Sequence, residues 1–341
     1  MDPKAKVLTL DAGGTGFAFS VIREGVEIIA PFTLPSMGHD LGASLAQIEA
    51  GFSRARVEAG GADAISVAFP GPADYANGVI GDLGNLPGYR GGVPLRAMLE
   101  ARFGLPVLVN NDADLFALGE ARHGRMKEVN ADLESAGSPF RHRNLVGVTL
   151  GTGFGAGLVA EGRLLRGDNG SGGSIWLLRA KDHPGCFAEE AVSIRGLRRA
   201  YAEASRIAFD EAPDPKNLAD RARSGDAAAR EAFRRFGEAA GDALASALTL
   251  MDGLAVLGGG LSGAADLFMP ALMAELNSTL AKRSGGPVPR LESRAFNLED
   301  ALDRAAFLDP APRKRTGVCV TRLGTARATA LGAWEAAMEA R

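Results

Sequence analysis

Two amides and a carboxylate close one predicted strand of this chain and stand just before a predicted helix. They are Asn110, Asn111 and Asp112, which follow the apolar run PVLV. Side chains at strand ends in α/β folds point into a ligand cleft. A carboxylate there can accept the proton of an attacking hydroxyl, while the amides hydrogen-bond neighbouring hydroxyls. The alternative for Asp112 is a helix N-cap, for which aspartate is well suited, and taken alone the residue fits the cap better.

Two glycine-rich turns follow apolar strands about 140 residues apart. They read Asp11-Ala12-Gly13-Gly14-Thr15 and Gly151-Thr152-Gly153-Phe154-Gly155-Ala156-Gly157. Glycines let backbone N–H groups approach phosphate oxygens without a Cβ in the way, and Thr15 adds a hydroxyl donor. Asp11 can hold Mg²⁺ through water when phosphates supply the other ligands. For the first turn alone, a tight hairpin that merely needs glycine is an equal alternative.

The residues around these turns limit the kinds of nucleotide site that the turns can form. The second turn is neither GxGxxG before a helix nor GxxxxGK[ST], which excludes Rossmann and P-loop sites. Two such hairpins could clamp the two ends of a triphosphate. A third cluster, Gly258-Gly259-Gly260, ends a strand before a helix, where adenine or ribose could lie against bare backbone. Each cluster is weak by itself, and together they indicate a nucleotide site.

Each turn belongs to one copy of a repeated unit. In both copies the order is strand, glycine-rich turn, strand, Glu-Gly turn and strand. The Glu-Gly turns are Glu24-Gly25 and Glu161-Gly162, and this internal repeat predicts two related lobes. Further strands are predicted at 64–69, 106–112, 254–260 and 317–324. Helices are predicted at 41–59, 94–103, 113–123, 227–251 and 325–340, the last packing onto the first lobe. The Pro- and Arg-rich stretch 284–316 is expected to be loop, and the alternation predicts a mixed α/β sheet in each lobe.

Bulk composition excludes several other classes of protein. The 341 residues are 46% hydrophobic and 23% charged, without an apolar run long enough to cross a bilayer, so no membrane partner is expected. The net charge of −3 gives no basic footprint, so no nucleic-acid partner is expected either. The first strand begins near residue 6 without signal-peptide features, which favours a cytoplasmic protein.

The motifs, in this order, resemble those of the ROK family, which contains bacterial sugar kinases and related repressors of the hexokinase and actin-like superfamily. The similar segments are DAGGTG, FPGPAD with GNLPGY, NNDADLFALGEA, LGTGFGAGLV and LGGGLS. The resemblance implies a two-lobed actin-like ATPase (ribonuclease H-like) α/β fold with mixed β-sheets flanked by helices. The lobes would be 1–118 plus 325–341, with the first phosphate turn and the catalytic aspartate, and 119–324, with the second turn and the adenosine site.

The resemblance also assigns roles to individual residues. It implies ATP-dependent phosphorylation of a hexose hydroxyl, giving a sugar 6-phosphate, with Asp112 as the base. ATP with its Mg²⁺ would bind at Asp11, Gly13, Gly14, Thr15, Gly151, Thr152, Gly153, Gly155, Gly259 and Gly260. The sugar would contact Gly71, Asn85, Asn111, Asp112 and Glu189. Dimers are common in the family, which leaves a homodimer open.

The chain departs from the family where members carry a Gly-Glu-x-Gly-His stretch and a cysteine-rich zinc segment. Here the first glutamate is Ser174 and the histidine is Leu177. One Cys and one His remain, which cannot supply the four ligands of a structural zinc, so no such site is expected. Ser174 would replace a charge-assisted hydrogen bond to the sugar by a neutral one, a difference of order 1 kcal/mol. Glu189 is aligned with the second glutamate, although one extra residue makes Glu190 an alternative.

Other readings stay open at this point. Trp176 is expected in the core, with an apolar face for a sugar ring as the alternative.

Repressors of the family carry an N-terminal helix-turn-helix, for which the first strand leaves no room. A drifted sugar-sensing protein is a second rival, against which the intact NND and phosphate turns argue. Glucose is the default substrate, with fructose or an N-acetylhexosamine as alternatives.

Overall fold

The computed structural model describes residues 2, 4–311 and 313–340. Within them the chain forms two compact units. The first contains the described residues of Met1–Gly124, Leu164–Gly172 and Leu323–Arg341, and the second contains those of Arg125–Arg163 and Gly173–Arg322. The division predicted from the sequence differs in placing 119–124, 164–172 and 323–324 with the second unit.

The strands are short, and most of those that form the two main sheets are buried. They are β1 (Val7–Ala12), β2 (Gly16–Arg23), β3 (Val26–Glu27), β4 (Phe32–Pro35), β5 (Ala64–Phe69), β6 (Ala73–Asp74), β7 (Val79–Ile80), β8 (Val107–Asn111), β9 (Leu145–Leu150), β10 (Phe154–Ala160), β11 (Arg163–Leu164), β12 (Leu254–Gly258), β13 (Thr279–Ala281), β14 (Pro287–Pro289), β15 (Arg294–Asn297) and β16 (Arg315–Val320).

Helices occupy most of the intervening segments. They are α1 (Leu41–Glu58), α2 (Leu95–Phe103), α3 (Asp112–Arg122), α4 (Arg125–Ser135), α5 (Ile194–Ser205), α6 (Pro215–Arg223), α7 (Ala227–Met251), α8 (Ala265–Leu276), α9 (Ala301–Leu308) and α10 (Thr325–Glu339). Of the helices in the described residues, none combines the length and apolar character that a membrane span needs.

The first unit is built on a mixed sheet with strand order β3-β2-β1-β5-β8, to which β4 adds by pairing with β2. β1 is antiparallel to β2 and parallel to β5, and β5 is parallel to β8. Ile48 of α1 and Leu99 of α2 pack on one face of the sheet. Leu331 and Trp334 of α10 pack on the opposite face. Coverage of both faces explains why β5 is wholly apolar but for one serine and buried throughout.

Two glycines hold α3 against α10. A Cβ on Gly119 would collide with the Ala328 carbonyl, and one on Gly332 would collide with the Leu115 carbonyl. The helix backbones therefore approach as closely as small residues allow. The C-terminal helix thus packs within the first unit, as predicted, and fixes the helix that begins at Asp112. The predicted lobe boundary at residue 118 falls inside α3.

The second unit repeats the same strand plan. Its sheet runs β11-β10-β9-β12-β16-β15, in which a β9–β10 hairpin is followed by parallel β12 and β16. This matches the β1–β2 hairpin followed by parallel β5 and β8, so the internal repeat predicted from the sequence is confirmed. α7 packs Phe233, Phe236 and Leu244 into the core of this unit with Val146 and Leu257.

The stretch 284–316 is not the loop that its composition predicted. It contains β14, β15, α9 and the start of β16. β15 pairs in parallel with β16, and Phe307 of α9 is fully buried. These elements are too short for a clear periodicity, and tertiary pairing rather than local pattern forms them.

Candidate functional site

The carboxyl ends of three parallel strands bring the predicted site residues of the first unit to one sheet edge. Asp11 in β1 lies opposite Ala68 in β5, and Phe69 lies opposite Asn111 in β8. Asp112 follows as the first residue of α3, and Gly71 follows β5 by two positions. Because neighbouring parallel strands end at the same edge, polar side chains far apart in sequence become neighbours here.

Asn111, and not Asp112, is the N-cap of α3. Its side-chain oxygen accepts the N–H groups of Ala113 and Asp114, at 3.0 and 3.2 Å. The Asp112 carboxylate accepts the Ala113 N–H at 2.9 Å and stands in the first helical turn, where the helix dipole favours a negative charge. The capping alternative for Asp112 is therefore wrong, and its carboxylate is available for another role.

Three carboxylates near this edge have raised pKa values. Burial, followed by the charge of Asp112, raises the pKa of Asp11 to about 7. Burial also raises the pKa of Asp112, against hydrogen bonds from the backbone of Ala113 and of Asp112 itself that lower it. Burial raises the pKa of Asp114 to about 7, with the Arg166 guanidinium opposing and the charge of Asp112 adding to the rise. Such a cluster of perturbed acids is typical of a functional site.

Tyr75 and Arg166 are parts of this cluster that the sequence did not reveal. The Asn111 side-chain N–H donates to the Tyr75 hydroxyl at 3.0 Å. Arg166, from the segment Leu164–Gly172 of the same unit, donates to the Asn110 side-chain oxygen at 2.9 Å. The only sequence signal for Tyr75 is its position six residues after the end of β5, and Arg166 has none.

The first glycine turn lies beside Asn85, which is predicted to contact the sugar. The Gly13 N–H donates to the Gly16 carbonyl at 2.9 Å, which closes the β1–β2 hairpin and leaves Thr15 exposed at its tip. A Cβ on Gly14 would lie 3.5 Å from the Asn85 side chain. Asn85 is itself exposed, between the buried side chains of Leu83 and Leu86. The structure thus brings this turn and Asn85 together within the first unit.

The second glycine turn is held by Glu189. The Gly151 N–H donates to the Gly153 carbonyl at 3.0 Å, and the Phe154 N–H donates to the Glu189 carboxylate at 2.9 Å. Thr152 is exposed, and Gly155 lies inside β10 opposite Thr149. Glu189 therefore contacts the turn directly, a relation that the sequence alone did not indicate.

Glu190 has a different environment from Glu189. Its carboxylate pairs with Arg195 at 2.5 Å and with Arg199 at 2.7 Å. The hydrogen bond from Arg199 is the largest of the effects that lower the pKa of Glu190. Arg195 and Arg199 thus form ion pairs with Glu190 at the surface.

The backbone is crowded by neighbouring atoms at Gly259 and open at Gly260. Gly259 has φ +85°, and a Cβ there would collide with the Leu150 backbone, so its glycine is needed for packing against β9. Around Gly260 a Cβ would meet no atom within 4 Å. Open backbone at the end of β12 is therefore available at Gly260, where the adenosine role stays a prediction.

The donor atoms of the first unit suit Mg²⁺ better than a transition metal. No three or more His, Cys, Asp or Glu side chains gather into a metal site among the described residues. Asp11 offers carboxylate oxygens near a second negative charge, the pattern that a hydrated hard cation with phosphate ligands accepts. Asp11 fits the magnesium role on this chemistry.

Trp176 is not a core residue. Its side chain is 38% exposed and meets the Phe187 ring edge-on, with centroids 5.8 Å apart. Leu177, which the resemblance aligned with a zinc-binding histidine, is 57% exposed. The expectation of a buried tryptophan was wrong because the short helical turn Ile175–Leu177 buries only Ile175.

Comparisons with known proteins agree on one family. The sequence model of the ROK family matches residues 7–308. A crystal structure of a glucokinase from Parabacteroides distasonis has a TM-score of 0.85 and 44% sequence identity, with both chains covered over 100% of their length.

Curated relatives carry two related activities in their names. The glucokinase of Thermotoga maritima is 28% identical over 289 residues, which cover 79% of this chain and 86% of the relative. The N-acetyl-D-glucosamine kinase of Vibrio cholerae is 29% identical over 271 residues, which cover 74% and 83% respectively.

Proposed function

Since the chain belongs to the ROK family and is a sugar kinase, we propose that it transfers the γ-phosphoryl group of ATP to a hexose hydroxyl with the Asp112 carboxylate as the base. The supporting observation is the place of Asp112, at the strand edge beside Asp11 and directly after the capping Asn111. Its carboxylate accepts the Ala113 N–H, and among the described residues no cationic side chain contributes to the shift of its pKa.

The buried environment of the Asp112 carboxylate suits it to accept a proton. Asp112 takes the proton of the sugar hydroxyl as the hydroxyl oxygen attacks the γ-phosphorus in line, a new O–P bond forms, and the bond to the ADP oxygen breaks. A buried carboxylate is a stronger base than one in water because its pKa is raised. When bound, Mg²⁺ held at Asp11 through water would supply charge neutralisation for the phosphates.

Sugar contacts are proposed for Gly71, Asn85, Asn111 and Asp112 in the first unit, and for Glu189 in the second. The nucleotide contacts are proposed for both glycine turns and for Gly260. Asn85 and Asn111 support this assignment because both place side-chain amides near the same strand edge. For Glu189 the support is weaker, since its carboxylate already accepts the Phe154 N–H.

Glucose is the first candidate substrate, because the glucokinase of Parabacteroides distasonis shares the whole fold and 44% of the sequence. N-acetyl-D-glucosamine is the second, because the Vibrio cholerae relative is named for it at similar identity to the Thermotoga maritima glucokinase. A catalytically drifted sugar sensor is the rival, against which the retained Asp112 carboxylate and its raised pKa argue.

A coupled assay of ADP release over glucose, fructose, mannose and N-acetylated hexosamines tests the proposal. We expect turnover of at least one hexose, and a loss of kcat of about a hundredfold or more in Asp112→Asn. Asp220→Asn, at an exposed position of α6, is the matched control and should retain wild-type rates. Sugar binding without ADP release across the panel would favour the sensor.

A further inference from the structure

The Asn111 side chain has both lone pairs of its amide oxygen engaged. The oxygen accepts the N–H groups of Ala113 and Asp114, as the helix cap requires. A carbonyl oxygen of this type accepts two hydrogen bonds. The orientation of the amide is thereby fixed, since only the oxygen can face two N–H donors. A ligand at the strand edge can meet only the side-chain NH₂ group of Asn111.

Tyr75 takes one of the two hydrogens of that NH₂ group. The Asn111 nitrogen donates to the Tyr75 hydroxyl oxygen at 3.0 Å, and the hydroxyl donates its own hydrogen to the Phe69 carbonyl at 3.1 Å. Phe69 and Asn111 are partners in adjacent strands. The tyrosine hydroxyl thus joins the ends of β5 and β8 and leaves a single N–H of Asn111 for a ligand.

The ring of Tyr75 is held by apolar packing against the core of the first unit, although the residue is only partly buried. Burial is the largest effect on the pKa of its hydroxyl, which is raised, so the group stays neutral and keeps its donor hydrogen. A Cβ on Gly71 would lie 3.1 Å from the hydroxyl and 4.0 Å from the Asn111 nitrogen. Because Gly71 has none, space remains beside both groups.

We infer that Tyr75 is a positioning residue of the sugar site, which holds the Asn111 amide so that its remaining N–H donates to an acceptor oxygen of the hexose. The inference rests on the proposed function. It also specifies the recognition, because the sugar must present a lone pair and not a hydroxyl hydrogen to Asn111. Without the tyrosine hydroxyl the amide NH₂ group loses one of its two acceptors, so only the cap at the oxygen holds the amide and that one contact with the sugar weakens.

Tyr75→Phe tests the inference against a matched control, Tyr89→Phe. Tyr89 belongs to the same unit and its hydroxyl bonds the Ser44 hydroxyl at 3.1 Å, so this variant also loses one hydrogen bond. For Tyr75→Phe we expect KM for the hexose to rise about threefold to tenfold, with KM for ATP unchanged within about twofold. For Tyr89→Phe both constants should stay at wild-type values.

A double variant separates positioning from general loss of structure. Because Tyr75 acts through Asn111, Tyr75→Phe should add less than about twofold to the hexose KM of Asn111→Ala. Thermal unfolding of each variant confirms that it is folded. An unchanged hexose KM in Tyr75→Phe, an equal rise in Tyr89→Phe, or full additivity with Asn111→Ala overturns the inference and leaves the proposed function intact. A wild-type protein without hexose turnover removes the proposed function itself.

Discussion

The Glu189 carboxylate accepts a hydrogen bond from the Phe154 N–H, with 2.9 Å between the two atoms. A Cβ on Gly153 would lie 2.9 Å from the same carboxylate oxygen, so the glycine turn and the glutamate are in direct contact. Ser193, the N-cap of α5, holds the other side of this link by donating to the Glu189 carbonyl at 2.7 Å. The turn predicted to bind phosphates is therefore braced by a carboxylate.

Glu189→Ala should damage catalysis through this contact. The Phe154 N–H loses its charge-assisted acceptor, so the turn is no longer fixed, and we expect kcat/KM for ATP to fall about tenfold or more. Steady-state kinetics with varied ATP concentration measure this fall in kcat/KM. Glu190→Ala is the control, because it removes only surface ion pairs with Arg195 and Arg199, which are worth little. Equal losses in the two variants would contradict the assignment.

Gly332→Ala should destabilise the first unit. The added Cβ would meet the Leu115 carbonyl, which is backbone and cannot move aside. Overpacking of this kind costs about 1–3 kcal/mol or more in the free energy of unfolding. Thermal or urea unfolding measures the loss. Gly185→Ala is the control, since a Cβ there meets no atom within 4 Å, and a Gly332→Ala variant as stable as this control would refute the close α3–α10 contact.

Sequence patterns predicted those parts of the site whose residues are close together in the chain. Asp112 at a strand–helix junction was predicted because an apolar run and a helical pattern meet there. Tyr75 was not, because it meets Asn111 only after β5 and β8 pair, 36 positions apart. Asp114 could have been noticed as a second acid in the first turn of α3, but its burial depends on packing that no spacing reveals.

Asp114→Asn should stabilise the protein above neutral pH. Asp114 is 4% exposed, and one of its oxygens has no hydrogen-bond partner among the described residues. Burial raises its pKa to about 7 in the folded protein, against 3.8 for an ordinary aspartate. The folded state therefore binds the proton more tightly, and the cost of the buried charge is absent below pH 3.8 and complete above about pH 7. We expect Asp114→Asn to gain about 1–3 kcal/mol over the wild type at pH 8.

That gain should shrink as the pH is lowered, and thermal unfolding at about pH 8 and pH 5 measures the difference. Asp220→Asn, on exposed α6, should show no such dependence. A gain that is the same at both pH values would mean that Asp114 is not the titrating group.

The raised pKa of Asp112 should be visible in the pH dependence of the reaction. The base must be ionised, so kcat/KM for the hexose should fall as the pH drops through the pKa of Asp112 in the free enzyme. Burial raises this pKa above the usual aspartate value of 3.8, so the acidic limb should lie at a higher pH than an ordinary aspartate would give. Initial rates at subsaturating hexose and saturating ATP, from about pH 4.5 to pH 9, measure it. Stability controls at each pH exclude unfolding as the cause. A profile that is flat over the whole range would mean either that the Asp112 pKa is not raised or that another group accepts the proton. Asp112→Asn in the same series distinguishes the two, because residual turnover with the wild-type profile occurs only in the second case.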